Sequence, residues 1–174
     1  MSTRGIDFAR LSLKDALDLA ILVEEEAQER YEEFAHQMDQ HRTPEAARFF
    51  RYMASNEAKH GSELTARRVR RFKDEPVAVT RAMLFDIEAP DYDAARAFMT
   101  PRQAMQAALT SEVKAHGFFV AALPTLQDPE VKALFEELRD EEVEHQQLVK
   151  AELAKLPPDP AVSDEDFVDP PAPQ

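Results

Sequence analysis

The chain has 174 residues, the length of about one domain, and 44% of them are hydrophobic. Its 21 basic and 34 acidic residues give a net charge of −13, which argues against nucleic-acid binding because contacts to phosphates need clustered cations. The absence of cysteine excludes disulfides, thiol catalysis, zinc-ribbon sites and cysteine-ligated iron–sulfur centres within these residues.

The hydropathy pattern predicts neither a membrane span nor a secretory leader. The longest apolar run, 118–123, is six residues long, whereas a span needs about 20. The first residues mix Arg4 and Arg10 with Asp7 and lack an apolar stretch. We therefore expect a soluble, cytoplasmic protein that binds no membrane.

Four long segments have helical periodicity, and each follows a residue that can cap a helix. No segment of useful length alternates with period two, so the pattern predicts an all-α protein. Proline stands at the first helical position of the last three segments, where it suits a helix start. The segments are 13–40, 44–72, 101 to about 124 and 129 to about 157, and their capping residues are Ser12, Thr43, Thr100 and Asp128.

The lengths of the connections predict the topology. About three residues join the first helix to the second and the third to the fourth, so each pair is expected to be an antiparallel hairpin. Residues 73–99 are long enough to cross over along a bundle and are predicted to contain short helices at 80–85 and 91–99. We assign 1–156 to one four-helix bundle. We predict that the proline-rich, acidic tail at 157–174 is disordered.

The sequence contains an internal repeat that carries charged residues. A shift of 85 residues places the second helix on the fourth, and a shift of 88 places the first on the third. Each copy therefore has one Glu on its first helix and a Glu-x-x-His motif on its second. The aligned pairs are Glu24 with Glu112, Glu57 with Glu142, His60 with His145, and Tyr31 with Phe119.

These repeated residues predict a site for two metal ions. Residues three apart lie on one face of a helix, and the neighbouring positions on each of these faces are apolar. Four buried carboxylates would be very costly without cations, whereas two divalent ions balance their charge of −4. The two histidines then supply one nitrogen per ion. Glu57 and Glu142 are the expected bridging ligands.

Two sequence motifs resemble the ferritin-like di-iron carboxylate proteins, and in particular their rubrerythrin-like branch. The stretch 24–31 matches the pattern Glu-x-x-Ala-x-x-Arg-Tyr, and 56–60 reads Asn-Glu-Ala-Lys-His. The resemblance covers about 12–156 and implies a ferritin-like bundle. It also implies two iron ions per chain, with manganese as an alternative. The metal ligands it implies are Glu24, Glu57, His60, Glu112, Glu142 and His145.

The sequence departs from full rubrerythrins in two respects. It has no cysteine-ligated rubredoxin domain, so any electron donor is expected to be a separate protein or a small reductant. It also has Ala115 where their third helix carries an additional ligand Glu, which leaves a six-ligand set nearer to that of bacterioferritin.

The function that the resemblance implies is oxidation of Fe(II) with O₂ or H₂O₂. The alternatives are an iron-storage or iron-delivery protein and a di-manganese, catalase-like enzyme. The partners expected are Fe(II), the oxidant and an external electron donor. A homo-oligomer, a dimer or larger, is also expected.

Four further features of the sequence lie outside this set of six ligands. Tyr31 is a candidate catalytic residue, because its hydroxyl can hydrogen-bond a ligand or relay an electron, but a plain core aromatic is an equal alternative. His36 also lies in a Glu-x-x-His motif but has no repeat mate, so it is expected at the surface. His116 is either a second histidine beside the ligands or unrelated to them. The basic run at 67–73 is assigned to the helix C-terminus, with an anionic partner as the alternative.

Overall fold

The four predicted long helices are all present in the computed structural model, which describes residues 6–84 and 100–158. Within these ranges there is no β-strand, so the all-α prediction is confirmed. Two single-turn 3₁₀ segments lie at Phe8–Arg10 and Leu123–Thr125. The helices are α1 (Leu13–Gln40), α2 (Pro44–Phe72), α3 (Arg81–Leu84), α4 (Pro101–Ala122) and α5 (Pro129–Leu153).

Three of the four predicted helix caps are confirmed, and one is wrong. Ser12, Thr100 and Asp128 each accept a hydrogen bond from a backbone N–H in the first turn of the helix that follows. The Thr43 side chain makes no such bond. Its hydroxyl instead donates to the carbonyl oxygen of Met38 at 2.9 Å, because the end of α1 presents carbonyl groups that have no partner within the helix.

A buried ion pair joins α1 to α2 close to the start of the crossover. Arg68 Nε donates to Asp18 Oδ1 at 2.7 Å, and both side chains are buried. The same guanidinium donates to the carbonyl oxygens of Lys73 and Glu75, at 2.7 and 2.5 Å. The chain leaving α2 is thereby held against α1.

The short helix α3 lies within the first of the two segments predicted in the crossover. Arg81 donates to both carboxylate oxygens of Glu29 at 2.6 and 2.8 Å, which attaches α3 to α1. The second predicted helix, at 91–99, lies outside the described residues, as do residues 159–174 of the predicted disordered tail. No helix within the described ranges is both long and apolar enough to cross a bilayer.

Two apolar clusters occupy the two ends of the bundle, and all four long helices contribute to both. The first cluster contains Leu17 of α1, Leu64 of α2, Phe118 of α4 and Leu134 of α5, with their neighbours. The second contains Phe34, Phe50, Met105 and Val149 from the same helices. Between the clusters each helix carries charged residues, which together form a polar belt across the middle of the bundle.

Candidate metal centre

The polar belt consists of the six residues that the repeat singled out. Each long helix contributes one or two of these residues at the point where its apolar stripe is interrupted, and all four points lie at the same height in the bundle. The four glutamates and His145 are at most 7% exposed, and His60 is partly exposed. The residues are Glu24 on α1, Glu57 and His60 on α2, Glu112 on α4, and Glu142 and His145 on α5.

One half of the centre surrounds His145. Its Nδ1 lies 3.3 Å from Oε1 of Glu57 and 3.5 Å from Oε2 of Glu112. Glu112, Glu142 and His145 each offer a ligand atom within 4.8 Å of the other two. All four of these side chains are buried. This half therefore combines carboxylate oxygens with one imidazole, a donor set that divalent transition metals accept.

The other half surrounds His60. Its Nδ1 lies 3.8 Å from Oε2 of Glu24 and 4.0 Å from Oε2 of Glu141. The ligand atoms of these three residues also lie within 4.8 Å of one another. Three helices, α1, α2 and α5, therefore converge on this half.

Glu57 lies between the two histidines. It belongs to a third group in which Glu57, His60 and His145 place ligand atoms within 4.8 Å. The two imidazole rings stack nearly parallel, with centroids 5.4 Å apart and an interplanar angle of 7°. A carboxylate in this position reaches both halves, as the predicted bridging role requires. Glu142, the other predicted bridging residue, groups only with the His145 half among the described residues.

The two histidines differ in their electrostatic environment. Burial and the nearby His145 lower the pKa of His60 below its ordinary value. Burial also acts to lower the pKa of His145, but the contact with Glu112 and the charges of Glu112 and Glu24 outweigh it and raise that pKa. In turn, His145 and Glu142 hold the pKa of Glu112 below its ordinary value although burial opposes them. The carboxylate of Glu112 is thus maintained in its charged form inside the bundle.

The donor set and its surroundings fit divalent cations. Nδ1 of His60 is buried and has no hydrogen-bond partner among the described residues. This nitrogen is therefore available to bind a metal ion. Four glutamates without a cation would place a charge of −4 in the middle of an apolar bundle. Two ions would balance that charge.

The sequence and the fold of this chain are similar to those of known proteins. Residues 15–91, which include Glu24, Glu57 and His60, match the family model for rubrerythrin. The solved structure of an uncharacterised conserved protein from Magnetospirillum magnetotacticum MS-1 aligns with a TM-score of 0.74 and 28% identity, over 88% of this chain and 100% of that one. The chain has a rubrerythrin-like, ferritin-like fold. The search of curated proteins found no significant match.

Tyr31 of this rubrerythrin-like chain contacts a predicted ligand. Its hydroxyl donates to Oε1 of Glu112, and its ring stacks on Phe50 with centroids 6.0 Å apart. Burial, the charges of Glu112 and Glu57, and this hydrogen bond raise the pKa of Tyr31 well above its ordinary value, so the phenol keeps its proton. The repeat mate Phe119 lies in the first apolar cluster instead. Tyr31 therefore orients Glu112.

Sequence analysis missed Glu141. Its repeat mate is Asn56, so the comparison of the two halves gave no reason to select it. Burial and the charge of Glu137 raise the pKa of Glu141 to about 7. The signal in the sequence that could have identified Glu141 is its position directly before the predicted ligand Glu142.

The remaining candidates lie away from the centre or have other partners. Glu33 and His36 are exposed, and the His36 ring is hydrogen-bonded to Gln40 at 2.8 Å, which agrees with the expected surface position. His116 belongs to none of the possible metal-binding groups among the described residues.

Gly61 is close to the centre. A Cβ atom at Gly61 would lie 3.4 Å from Cβ of Glu24, an ordinary contact distance. An alanine at this position would therefore pack against α1 beside a predicted ligand without crowding it.

Most arginines of the basic run have partners within the chain. Arg67 pairs with Glu137 at 3.1 Å, and Arg71 donates to both carboxylate oxygens of Glu130 at 2.7 and 2.8 Å. Together with the buried Arg68, these ion pairs join the end of α2 to α1 and α5, and they favour a structural role over the anionic-partner alternative.

Proposed function

We propose that this chain is a di-iron oxidoreductase that oxidises Fe(II) with O₂ or H₂O₂. The observation that supports the proposal is the polar belt. Four buried glutamates and two histidines from four helices lie at one height, and all six belong to groups of possible metal ligands. One of these groups contains Glu57 together with both histidines. A structural role alone would not bring four carboxylates together inside an apolar bundle, because each loses its hydration there.

The proposal assigns the ligands by half. Glu24 and His60 would hold one ion, and Glu112, Glu142 and His145 would hold the other. Glu57 would be available to both, because it groups with both histidines. Iron at such a centre supplies one-electron chemistry with oxygen or peroxide.

The other residues prepare the site for that chemistry. Tyr31 fixes the orientation of Glu112 through the hydrogen bond from its hydroxyl to Oε1, and Oε2 of Glu112 is the oxygen that lies near His145. The two apolar clusters exclude bulk water from both ends of the belt. In the proposed reaction the electrons that reduce O₂ or H₂O₂ come from Fe(II) itself.

The histidines give a sharp test of the proposal. We expect His60→Ala and His145→Ala each to abolish rapid Fe(II) oxidation, followed by stopped-flow absorbance of the ferric product. His36→Ala removes a histidine from the same local motif at the surface and is expected to oxidise Fe(II) at the wild-type rate. Loss of activity in a folded His36 variant, or its retention in both centre variants, would contradict the assignment.

The metal and the assembly state separate the alternatives. Protein purified without added metal and analysed for bound ions is expected to contain iron. Manganese in its place would favour the catalase-like alternative. A large shell in a measurement of mass in solution would favour iron storage.

A further inference from the structure

A cleft opens between α2 and α5 on the His60 side of the centre. It has a volume of about 90 Å³. Its walls contain two apolar side chains and four charged ones besides His60: Leu64, Leu138, Glu63, Glu137, Glu141 and Arg67. The guanidinium of Arg67 is paired with Glu137 at 3.1 Å. His60 forms part of the same wall and is also a member of the polar belt. The cleft therefore leads from the surface to the predicted metal ligands.

Glu141 lies where the cleft meets the centre. The exposed fraction of the side chain rises from 5% at Glu24 to 20% at His60 and 31% at Glu141. These three residues thus form a path from the buried belt towards solvent. The half around His145 lacks such a gradient, since the side chains of His145, Glu57 and Glu112 are all at most 6% exposed.

The three residues on this path have suitable chemistry for a cation. Glu141 Oε2 lies 4.0 Å from Nδ1 of His60, and Glu24 Oε2 lies 3.8 Å from the same nitrogen. All three ligand atoms lie within 4.8 Å of one another. Two carboxylate oxygens and one imidazole nitrogen from three helices are a donor set for a divalent transition-metal ion.

We propose that Glu141 is an additional ligand of the centre and that, with Glu24 and His60, it forms the position at which a divalent cation arriving through the cleft first binds. The proposal rests on the metal centre proposed above and adds an asymmetry to it. The ion at the His60 half exchanges with solvent through the cleft, whereas the ion at the His145 half is enclosed.

The test is metal binding, measured without turnover. The full chain is treated with chelator, dialysed and titrated with Mn(II) under anaerobic conditions by isothermal titration calorimetry. Glu141→Gln keeps the size of the side chain but replaces a charged oxygen ligand with an amide. We expect this variant to bind one ion about tenfold or more weakly and the other with unchanged affinity.

Glu63→Gln is the matched control. Glu63 lines the same cleft and its substitution removes the same charge, but it belongs to none of the metal-binding groups among the described residues. Its two affinities are expected to match those of the wild type. Circular dichroism of the chelated proteins checks that each variant is folded, which is expected because both side chains are partly or fully exposed.

Each outcome gives a definite answer. Two unchanged affinities in Glu141→Gln would overturn the additional ligand while leaving the proposed centre intact. An equal loss in Glu63→Gln would overturn direct ligation in favour of general attraction by negative charge. A wild-type chain that binds neither Mn(II) nor Fe(II) would contradict the proposed function itself.

Discussion

Metal removal should lower the thermal stability of this protein substantially. Without cations, the bundle buries four glutamates at one height, and each is at most 7% exposed. These carboxylates lose hydration and repel one another on folding, so the folded state is expected to bind divalent ions far better than the unfolded chain does. Ligand binding to the folded state alone stabilises it by mass action.

The size of the effect follows from the two halves of the centre. One site filled at a free ion concentration 100-fold above its Kd contributes about 2.7 kcal/mol, so two sites contribute about 5 kcal/mol. A domain of this length shifts its Tm by about 2–4 °C per kcal/mol, which gives a total of about 10–20 °C. The measurement is circular dichroism melting of chelated protein and of protein with excess Mn(II), which avoids oxidation during heating.

Two variants test how the stabilisation is divided. Because Glu57 groups with both histidines, Glu57→Gln is expected to reduce the gain from both ions, whereas His145→Ala should remove about half of it. Glu33→Gln alters an exposed glutamate that also precedes a histidine by three residues, and it should keep the full gain. Equal Tm values for chelated and metal-loaded wild-type protein would refute a buried metal centre.

Two further substitutions test contacts beside the centre. Tyr31→Phe removes the hydrogen bond to Glu112. In urea denaturation it should lower the free energy of unfolding of the chelated protein by about 1.5–3 kcal/mol. The control Tyr52→Phe, at an exposed ring, should change that free energy by less than about 0.5 kcal/mol. Gly61→Ala and Gly117→Ala should each raise that free energy by up to about 1 kcal/mol, because alanine favours the helix and neither new Cβ is crowded. A loss of stability at Gly61 alone would show that α1 and α2 cannot separate even slightly beside Glu24.

The sequence was sufficient to predict the long helices because its punctuation is local. Proline and a capping side chain mark most helix starts, and these signals act within one turn. Thr43 shows the limit of this reasoning. The hydroxyl of a threonine before a helix can accept a hydrogen bond from an N–H of that helix, or it can donate one to a carbonyl oxygen of the preceding helix. In this chain it donates to the carbonyl oxygen of Met38. Which partner wins depends on the turn geometry, and that is not visible in the residue types.

The internal repeat predicted which charged residues of the four helices come together, but not the contacts that differ between the two halves. Aligned positions select residues that both halves share, such as Glu57 and Glu142. Glu141 has Asn56 as its mate, and Tyr31 has Phe119, so the repeat could not assign them a role at the centre. Their contacts with His60 and Glu112 depend on how the two hairpins pack, which is a tertiary property.

The apolar clusters at the two ends of the bundle bear on the order of folding and metal loading. Each cluster joins all four long helices without any contribution from the belt. Hydrophobic burial at both ends can therefore assemble the bundle before an ion arrives, and the centre can be filled afterwards in a chain that is already folded. In the metal-free chain, backbone amides beside the belt would then exchange with solvent faster than those packed within either cluster. Loading with metal would reverse that order.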